Sequence, residues 1–257
     1  MKIASWNINS LRKRQERLLS WLGETRPDIV CLQETKCSDE QFPGEILRNS
    51  GYAAAFHGQK SYNGVAILSR AEPRDVRVGL GDEIADDQAR LLAATISEVR
   101  VVSIYAPNGQ AVGAEAYRYK MEWYRRLTKL LEAEGSLERT VVCGDFNVAP
   151  ADEDVHDPAL WRGAIMCSDE ERAAFRTLAG LGLADTLRLH HPEPGIFSWW
   201  DYRMLAFPKK RGLRIDAILA GSDLAGRCTG AGVDREMRKG KEPSDHAPVW
   251  AEFSPAG

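Results

Sequence analysis

The chain has 257 residues, of which 44% are hydrophobic, 28% charged and 8% aromatic; 34 Lys and Arg face 37 Asp and Glu, for a formal net charge of −3. This composition excludes a disordered or low-complexity chain, because there is enough apolar side chain to build a core. It also excludes collagen and disulfide-scaffold classes, and no run of about 18 uncharged apolar residues offers a membrane span.

Lys2 to Ile8 reads as a strand. Leu11, Gln15, Leu18 and Leu22 recur at helical spacing, with Gly23 as the stop. Asp28 to Leu32 reads as a buried strand, and 52–57 and 64–69 as paired strands around a turn-rich loop at 60–64. Strands follow at 91–96 and 100–105. Tyr117, Met121, Tyr124, Thr128 and Leu131 mark one face of a long helix ending at Gly135, and Thr140 to Cys143 is a further strand. A helix covers 169–181, and strands are expected at 196–202, 213–219 and 247–253. No linker or repeat divides the chain, so one domain over 1–257 is expected. Strands occur both side by side and separated by helices, which suggests a sandwich of sheets with helices outside.

The N-terminus lacks the apolar core of a signal peptide. The five cysteines are odd in number and form no C-x-x-C, so they read as reduced thiols of a cytoplasmic protein. The histidines lack zinc-ligand spacing. Between residues 201 and 245 ten basic residues stand against seven acidic ones, compatible with a polyanionic substrate and equally with a solvated face.

Polar residues recur where expected strands end. They are Asn7 and Asn9, Gln33-Glu34, Tyr105 to Gly109, Gly144-Asp145-Phe146-Asn147, and Ser244-Asp245-His246 before the last strand. Strand ends at one edge of a sandwich can assemble a rigid site from distant sequence. Taken singly, each has an ordinary reading: Glu34 as a solvated carboxylate, Asp145 as a turn residue, Trp199 and Trp200 as core aromatics. Asp216 lies inside an apolar strand, where an unpaired carboxylate is costly, so it requires a metal, a partner, or a salt bridge to Arg214 or a nearby Lys. No G-x-S-x-G elbow and no glycine-rich phosphate loop is present. Clustered oxygen ligands suit Mg²⁺ or Mn²⁺ and point to phosphoester hydrolysis.

The ordered segments Trp6-Asn7-Ile8-Asn9, Leu32-Gln33-Glu34-Thr35-Lys36, Tyr105-Ala106-Pro107-Asn108-Gly109, Gly144-Asp145-Phe146-Asn147-Val148, Trp199-Trp200-Asp201-Tyr202-Arg203, Leu213-Arg214-Ile215-Asp216 and Ser244-Asp245-His246-Ala247-Pro248 span essentially the whole chain. Together they resemble the exonuclease III family of abasic-site endonucleases, within the endonuclease/exonuclease/phosphatase superfamily. The resemblance implies an α/β (α+β) fold of the DNase-I-like kind, a four-layered sandwich with two central, mostly antiparallel β-sheets flanked by helices. It implies a Mg²⁺- or Mn²⁺-dependent enzyme that hydrolyses the phosphodiester 5′ to abasic sites in duplex DNA, with 3′→5′ exonuclease and 3′-phosphatase or phosphodiesterase activity. The partner would be double-stranded DNA carrying abasic sites or blocked 3′ ends, with no membrane, and the protein would be a monomer.

By the same resemblance Glu34 would be the principal metal ligand, aided by Asn7 and Asp245, with Asp145 and Asn147 at a second position. Asp145 would activate or orient water and later protonate the leaving oxygen. Asn147, Asn7 and His246 would stabilise the transition state, Asp216 would pair with His246, and Tyr105 would sit against the phosphate. Asn108 and Tyr62 would contact the DNA backbone, Trp199 and Leu213 would line the sugar pocket, and Arg203 would lie where some relatives insert a side chain into the duplex. Two other readings compete: a superfamily phosphatase acting on a non-nucleic-acid phosphoester, and a DNA-lesion-binding module with a dead site. The Trp-Trp-Asp-Tyr-Arg segment weighs against the first, and the joint presence of Glu34, Asp145, Asn147, Asp216 and His246 against the second.

Overall fold

The computed structural model describes residues 1–255 and contains two six-stranded sheets. The first sheet has the order Cys228–Val233 (β11), Val249–Phe253 (β12), Lys2–Asn7 (β1), Ile29–Gln33 (β2), Val65–Ser69 (β4) and Ala53–His57 (β3). The second has the order Arg74–Val78 (β5), Leu91–Ile96 (β6), Val99–Tyr105 (β7), Thr140–Asp145 (β8), Asp216–Ala220 (β10) and Ala184–Asp185 (β9). Each sheet holds one parallel pair at its centre, β1 with β2 and β7 with β8, and every other pairing is antiparallel. A parallel pair delivers both of its strands to the same rim. Asn7, Gln33, Tyr105 and Asp145 are therefore the last residues of four central strands.

The helices are Leu11–Thr25 (α1), Gly44–Asn49 (α2), Glu115–Ala133 (α3), Pro158–Trp161 (α4), Asp169–Ala179 (α5), Thr186–His190 (α6) and Ser222–Gly226 (α7). Side chains alternate between faces along a strand. Ile29 and Cys31 of β2 and Val141 and Cys143 of β8 thus meet in the core between the sheets. Val30 and Leu32 face outward onto α1 through Leu18, Trp21 and Leu22. Val142 faces α3 and α5 through Leu127, Leu131, Phe175 and Leu178. Strands covered on both faces read as continuous apolar runs, which is why β2 and β8 stood out in the sequence. The layers are helices, sheet, sheet, helices, as the resemblance implied.

Several expected elements differ. Helix α1 runs through Gly23 to Thr25 and ends where Arg26 turns left-handed, at φ 46°, and returns its N–H to Leu22 O. Its inward residue is Arg14 rather than the half-buried Gln15. Residues 196–202 form no strand. Phe197 and Trp200 pack into a small separate cluster, while Ser198 and Trp199 both donate to Leu213 O, leaving only isolated bridges. The strand expected at 213–219 begins at Asp216. Strands β5 and β11 were not expected.

Candidate active site

The rim is assembled by strand ends and the loops that follow them. In the parallel register Tyr105 pairs with Asp145, and in the antiparallel register Asp216 lies opposite Asp145. The β7–β8 approach is close at Gly144, where a Cβ would stand 1.9 Å from Ile104 O; only glycine fits at its φ of 149°. From the other sheet Asn7 reaches across, donating from Nδ2 to Glu34 Oε1 at 2.8 Å and to Asp145 Oδ2 at 2.9 Å. The loop before β12 is pinned to β1 by Ser244 Oγ, which donates to Asn7 O at 2.7 Å, and by Trp6 Nε1, which donates to His246 O at 3.2 Å.

His246 Nδ1 lies 2.8 Å from Asp216 Oδ2, and its Nε2 lies 3.7 Å from Asp145 Oδ2. All three side chains are buried. Ser198 Oγ accepts from Ile215 N and Asp216 N, both at 3.1 Å, and so fixes the start of β10. Among the described residues, Glu34, Asp145 and His246 are the group of acidic and imidazole side chains whose donor atoms lie within 4.8 Å of one another.

The electrostatics separate the roles of these groups. Burial raises the Asp145 carboxyl to about 7, against the opposing pull of the His246 charge. Burial disfavours the imidazolium of His246, but Asp216 and Asp145 outweigh it and raise His246 to about 10. Burial, then the charges of Glu34 and Asp145, push the Tyr105 phenol well above 10, so it is a neutral donor at pH 7. The Arg90 guanidinium sits 4.7 Å from the Tyr105 ring centroid and donates to Tyr105 O, fixing the ring from behind.

Not every expected ligand faces the Glu34–Asp145–His246 cluster in the manner implied. Asn7 turns its N–H groups into the site, and its Oδ1 accepts from Asn9 N at 3.1 Å. Asp245 is held aside, with Oδ1 accepting from Asn9 Nδ2 at 2.8 Å and Oδ2 from Trp199 Nε1 at 3.0 Å. Burial works to raise the Asp245 carboxyl, yet the His246 charge and these two hydrogen bonds hold it below the usual range. Asn147, left-handed at φ 51°, donates from its backbone to Asp145 Oδ1 and from Nδ2 to Ala106 O, while its Oδ1 accepts from Asn108 Nδ2 at 3.1 Å.

Around the rim, Tyr62 is 72% exposed on a loop whose Asn63 and Gly64 carbonyls accept from Lys36 N and Thr35 N. Asn108 is also exposed. Leu213 departs from expectation: it is fully buried among Ala149, Val155, Met166 and Ile215, so it backs the half-buried Trp199 instead of lining a surface pocket. Arg203 is bound by Asp201 through Nε and NH2, and the side chains that protrude beside it are Met204, 76% exposed, and Leu205.

The sequence pattern gives no role to Lys36, which lies within the Leu32-Gln33-Glu34-Thr35-Lys36 segment. Lys36 Nζ lies 2.7 Å from Glu34 Oε2 and donates to Asn9 Oδ1 at 2.7 Å. Nor does the pattern mark Arg14, which donates to Asn9 O, Glu242 O and Pro243 O and so ties α1 to the loop carrying Asp245.

Residues 4–246 match the family model described as the endonuclease/exonuclease/phosphatase family. The chain belongs to that family. It is 38% identical to exodeoxyribonuclease III of Haemophilus influenzae, with 98% of this chain and 100% of that one covered. The structure matches a 3′ phosphatase, NExo, from Neisseria bound to a product DNA hairpin, with TM-score 0.96, 44% identity and 99% of each chain covered. It matches an AP endonuclease from Archaeoglobus fulgidus with TM-score 0.96 and 40% identity, over 99% of this chain and 100% of that one. The family resemblance and the sandwich it implied are both borne out, and Glu34, Asp145 and His246 of this chain form a group that could hold a metal ion.

Proposed function

We propose that this protein is a DNA repair hydrolase that cleaves phosphoester bonds at blocked 3′ ends and 5′ to abasic sites in duplex DNA, with Mg²⁺ or Mn²⁺ as its ion. It works as a monomer in the cytoplasm, and its 257 residues act as one catalytic domain. The observation that carries the reading is the convergence of Glu34, Asp145 and His246 within 4.8 Å, with Asp216 behind the imidazole. The Neisseria 3′ phosphatase and the Archaeoglobus AP endonuclease support DNA as the substrate.

The donor set fits a hard divalent cation, since carboxylate oxygens of Glu34 and Asp145 face one another across Asn7. Glu34 would hold the ion with help from Asp145; when bound, it supplies Lewis-acid neutralisation of charge on the phosphoryl oxygens. Asp145, raised to about 7, is matched to neutral pH. It takes a proton from the attacking water and returns one to the departing oxygen. His246, raised to about 10, stays an imidazolium. It is therefore a donor to the phosphoryl oxygens rather than a base, held in orientation through Nδ1 by Asp216. Asn7, Asn147 and the Tyr105 phenol add neutral donors where charge develops on phosphorus oxygens. Trp199 forms the wall for a baseless sugar, Tyr62 and Asn108 meet the backbone, and Arg203 lies at the position from which a side chain enters the duplex. An abasic nucleotide is cheap to extrude because no base is unstacked, which gives selectivity without base readout.

The test uses a duplex with one tetrahydrofuran abasic analogue and a duplex with a 3′-phosphate, each with Mg²⁺ and with EDTA. Incision 5′ to the analogue and phosphate release, both only with metal, are the expected results. Glu34→Ala is expected to raise the Mg²⁺ concentration needed for half-maximal rate. Binding without cleavage, or phosphate release from inositol phosphates alone, contradicts the reading.

A further inference from the structure

Helix α3 offers two donors to the loop that carries Asp145 and Asn147. Tyr124 donates from its hydroxyl to Phe146 O. Four residues earlier, and so on the same helix face, Lys120 Nζ donates to Asn147 O at 2.7 Å and to Asn108 O at 3.1 Å. Its third donor meets Glu171 Oε1 of α5 at 2.5 Å. An ammonium has three donors and no acceptor, and all three are used. Both side chains of the pair are fully buried. Glu171 completes its own hydrogen bonds with Met166 N, Ser168 N and Ser168 Oγ.

The two carbonyls that Lys120 holds belong to two of the asparagines at the rim, Asn108 and Asn147. Asn147 is in the left-handed region at φ 51°, a conformation that asparagine tolerates better than other non-glycine residues. Its carboxamide is in turn hydrogen-bonded to Asn108 and Ala106. Gly109, at φ 89°, rests directly on the lysine stem; a Cβ there would lie 3.1 Å from Lys120 Cδ. Asn108 and Asn147 come from different strand ends of the second sheet, and one buried cation joins them.

A buried ion pair is not what a fold needs for stability, since well-packed apolar residues of similar volume often serve equally well or better. Apolar residues cannot, however, donate to two main-chain carbonyls. We propose that Lys120, anchored by Glu171, is a positioning residue that sets the Asn108 and Asn147 carboxamides toward the scissile phosphate. The inference rests on the function proposed above.

Lys120→Met alone strands the Glu171 carboxylate and is expected to lower stability for that reason. The double variant Lys120→Met/Glu171→Gln removes both charges; the Gln carbonyl can still accept from Met166 N and its amide can donate to Ser168 Oγ, at the loss of the Ser168 N hydrogen bond. It is expected to recover most of the melting temperature lost in the single variant. Its kcat on the 3′-phosphorylated duplex at saturating Mg²⁺ is expected to stay about 10- to 100-fold low, with KM changed by less than about threefold. Amide exchange at Ala106, Asn108, Gly109 and residues 146–148 is expected to be faster than in the parent. Glu171→Gln alone, which keeps the ammonium, is expected to lower kcat less than the double variant. Recovery of kcat together with stability, unchanged exchange, or a Glu171→Gln loss as large as that of the double variant overturns the proposal. A parent protein that cleaves no DNA refutes the functional reading, and the exchange comparison still decides whether Lys120 holds the two asparagine loops.

Discussion

Asp145→Asn is expected to fold like the parent and to release phosphate from a 3′-phosphorylated duplex at least about 10²-fold more slowly. Asp145 is 1% exposed and closes β8 opposite Asp216. Its Oδ1 accepts from Asn147 N at 2.9 Å and its Oδ2 from Asn7 Nδ2 at 2.9 Å. An asparagine retains one acceptor for the Asn147 amide, so the loop keeps its shape. It cannot take up a proton, and burial no longer tunes a titrating group to about 7. The loss therefore falls on kcat, with binding of the duplex preserved. Turnover near the parental rate, with an unchanged circular dichroism spectrum, contradicts the base role.

The largest stability effect is expected away from the chemistry, at Arg214→Met. Arg214 donates from Nε to Asp154 Oδ1 at 2.6 Å, and its NH1 lies 2.8 Å from Asp185 Oδ2. Arg214 and Asp154 are buried, and Arg188 completes the group on Asp154. Removing the cation leaves Asp154 buried with one partner fewer, which costs about 3–5 kcal/mol and lowers the melting temperature by roughly 10 °C or more. Burial works to raise the Asp154 carboxyl, but Arg214 and then Arg188 hold it below its ordinary value. A depressed carboxyl contributes stability above the unfolded-state value, about 3.9, and loses it as pH falls through the folded value. The gap in melting temperature between parent and variant is thus expected to be full at pH 7 and to narrow below about pH 4. Thermal unfolding across that range checks it, and a gap that widens in acid contradicts the assignment.

How much was legible in the sequence follows from burial. Strands β2 and β8 are covered on both faces, so Ile29 to Leu32 and Val141 to Cys143 announce themselves as apolar runs, and the polar residues just after them fall at the rim. Strand β5 is exposed along its whole length and carries Arg74, Asp75 and Arg77, so it has no apolar face to read. Strand β11 contains Gly230 and Gly232, weak strand formers; a Cβ on Gly232 would come within 2.7 Å of the Trp250 ring, so packing sets that residue against propensity. Residues 196–202 misled because aromatic side chains that pack individually mimic a strand pattern.

Within the site, Asp216 was conspicuous as a carboxylate in an apolar strand, and its partner proved to be His246 rather than Arg214, which faces Asp154 and Asp185. Lys120 carried no such signal. Of the helix face expected at Tyr117, Met121, Tyr124, Thr128 and Leu131, the structure buries Tyr117, Tyr124 and Leu131, leaves Met121 and Thr128 half-buried, and adds Lys120, Trp123 and Leu127 to the buried face. A lysine at a polar position of an amphipathic helix reads as solvated until the carbonyls it meets are known.

The central claim is that Glu34 and Asp145, drawn from distant segments, hold a divalent ion beside the His246 imidazolium at the shared rim of the two sheets. Anomalous diffraction from crystals grown with Mn²⁺ tests it directly. The account predicts a single strong peak against the Glu34 carboxylate within reach of Asp145, lost in Glu34→Ala. A peak elsewhere on the surface, or one that persists unchanged in Glu34→Ala, would contradict it.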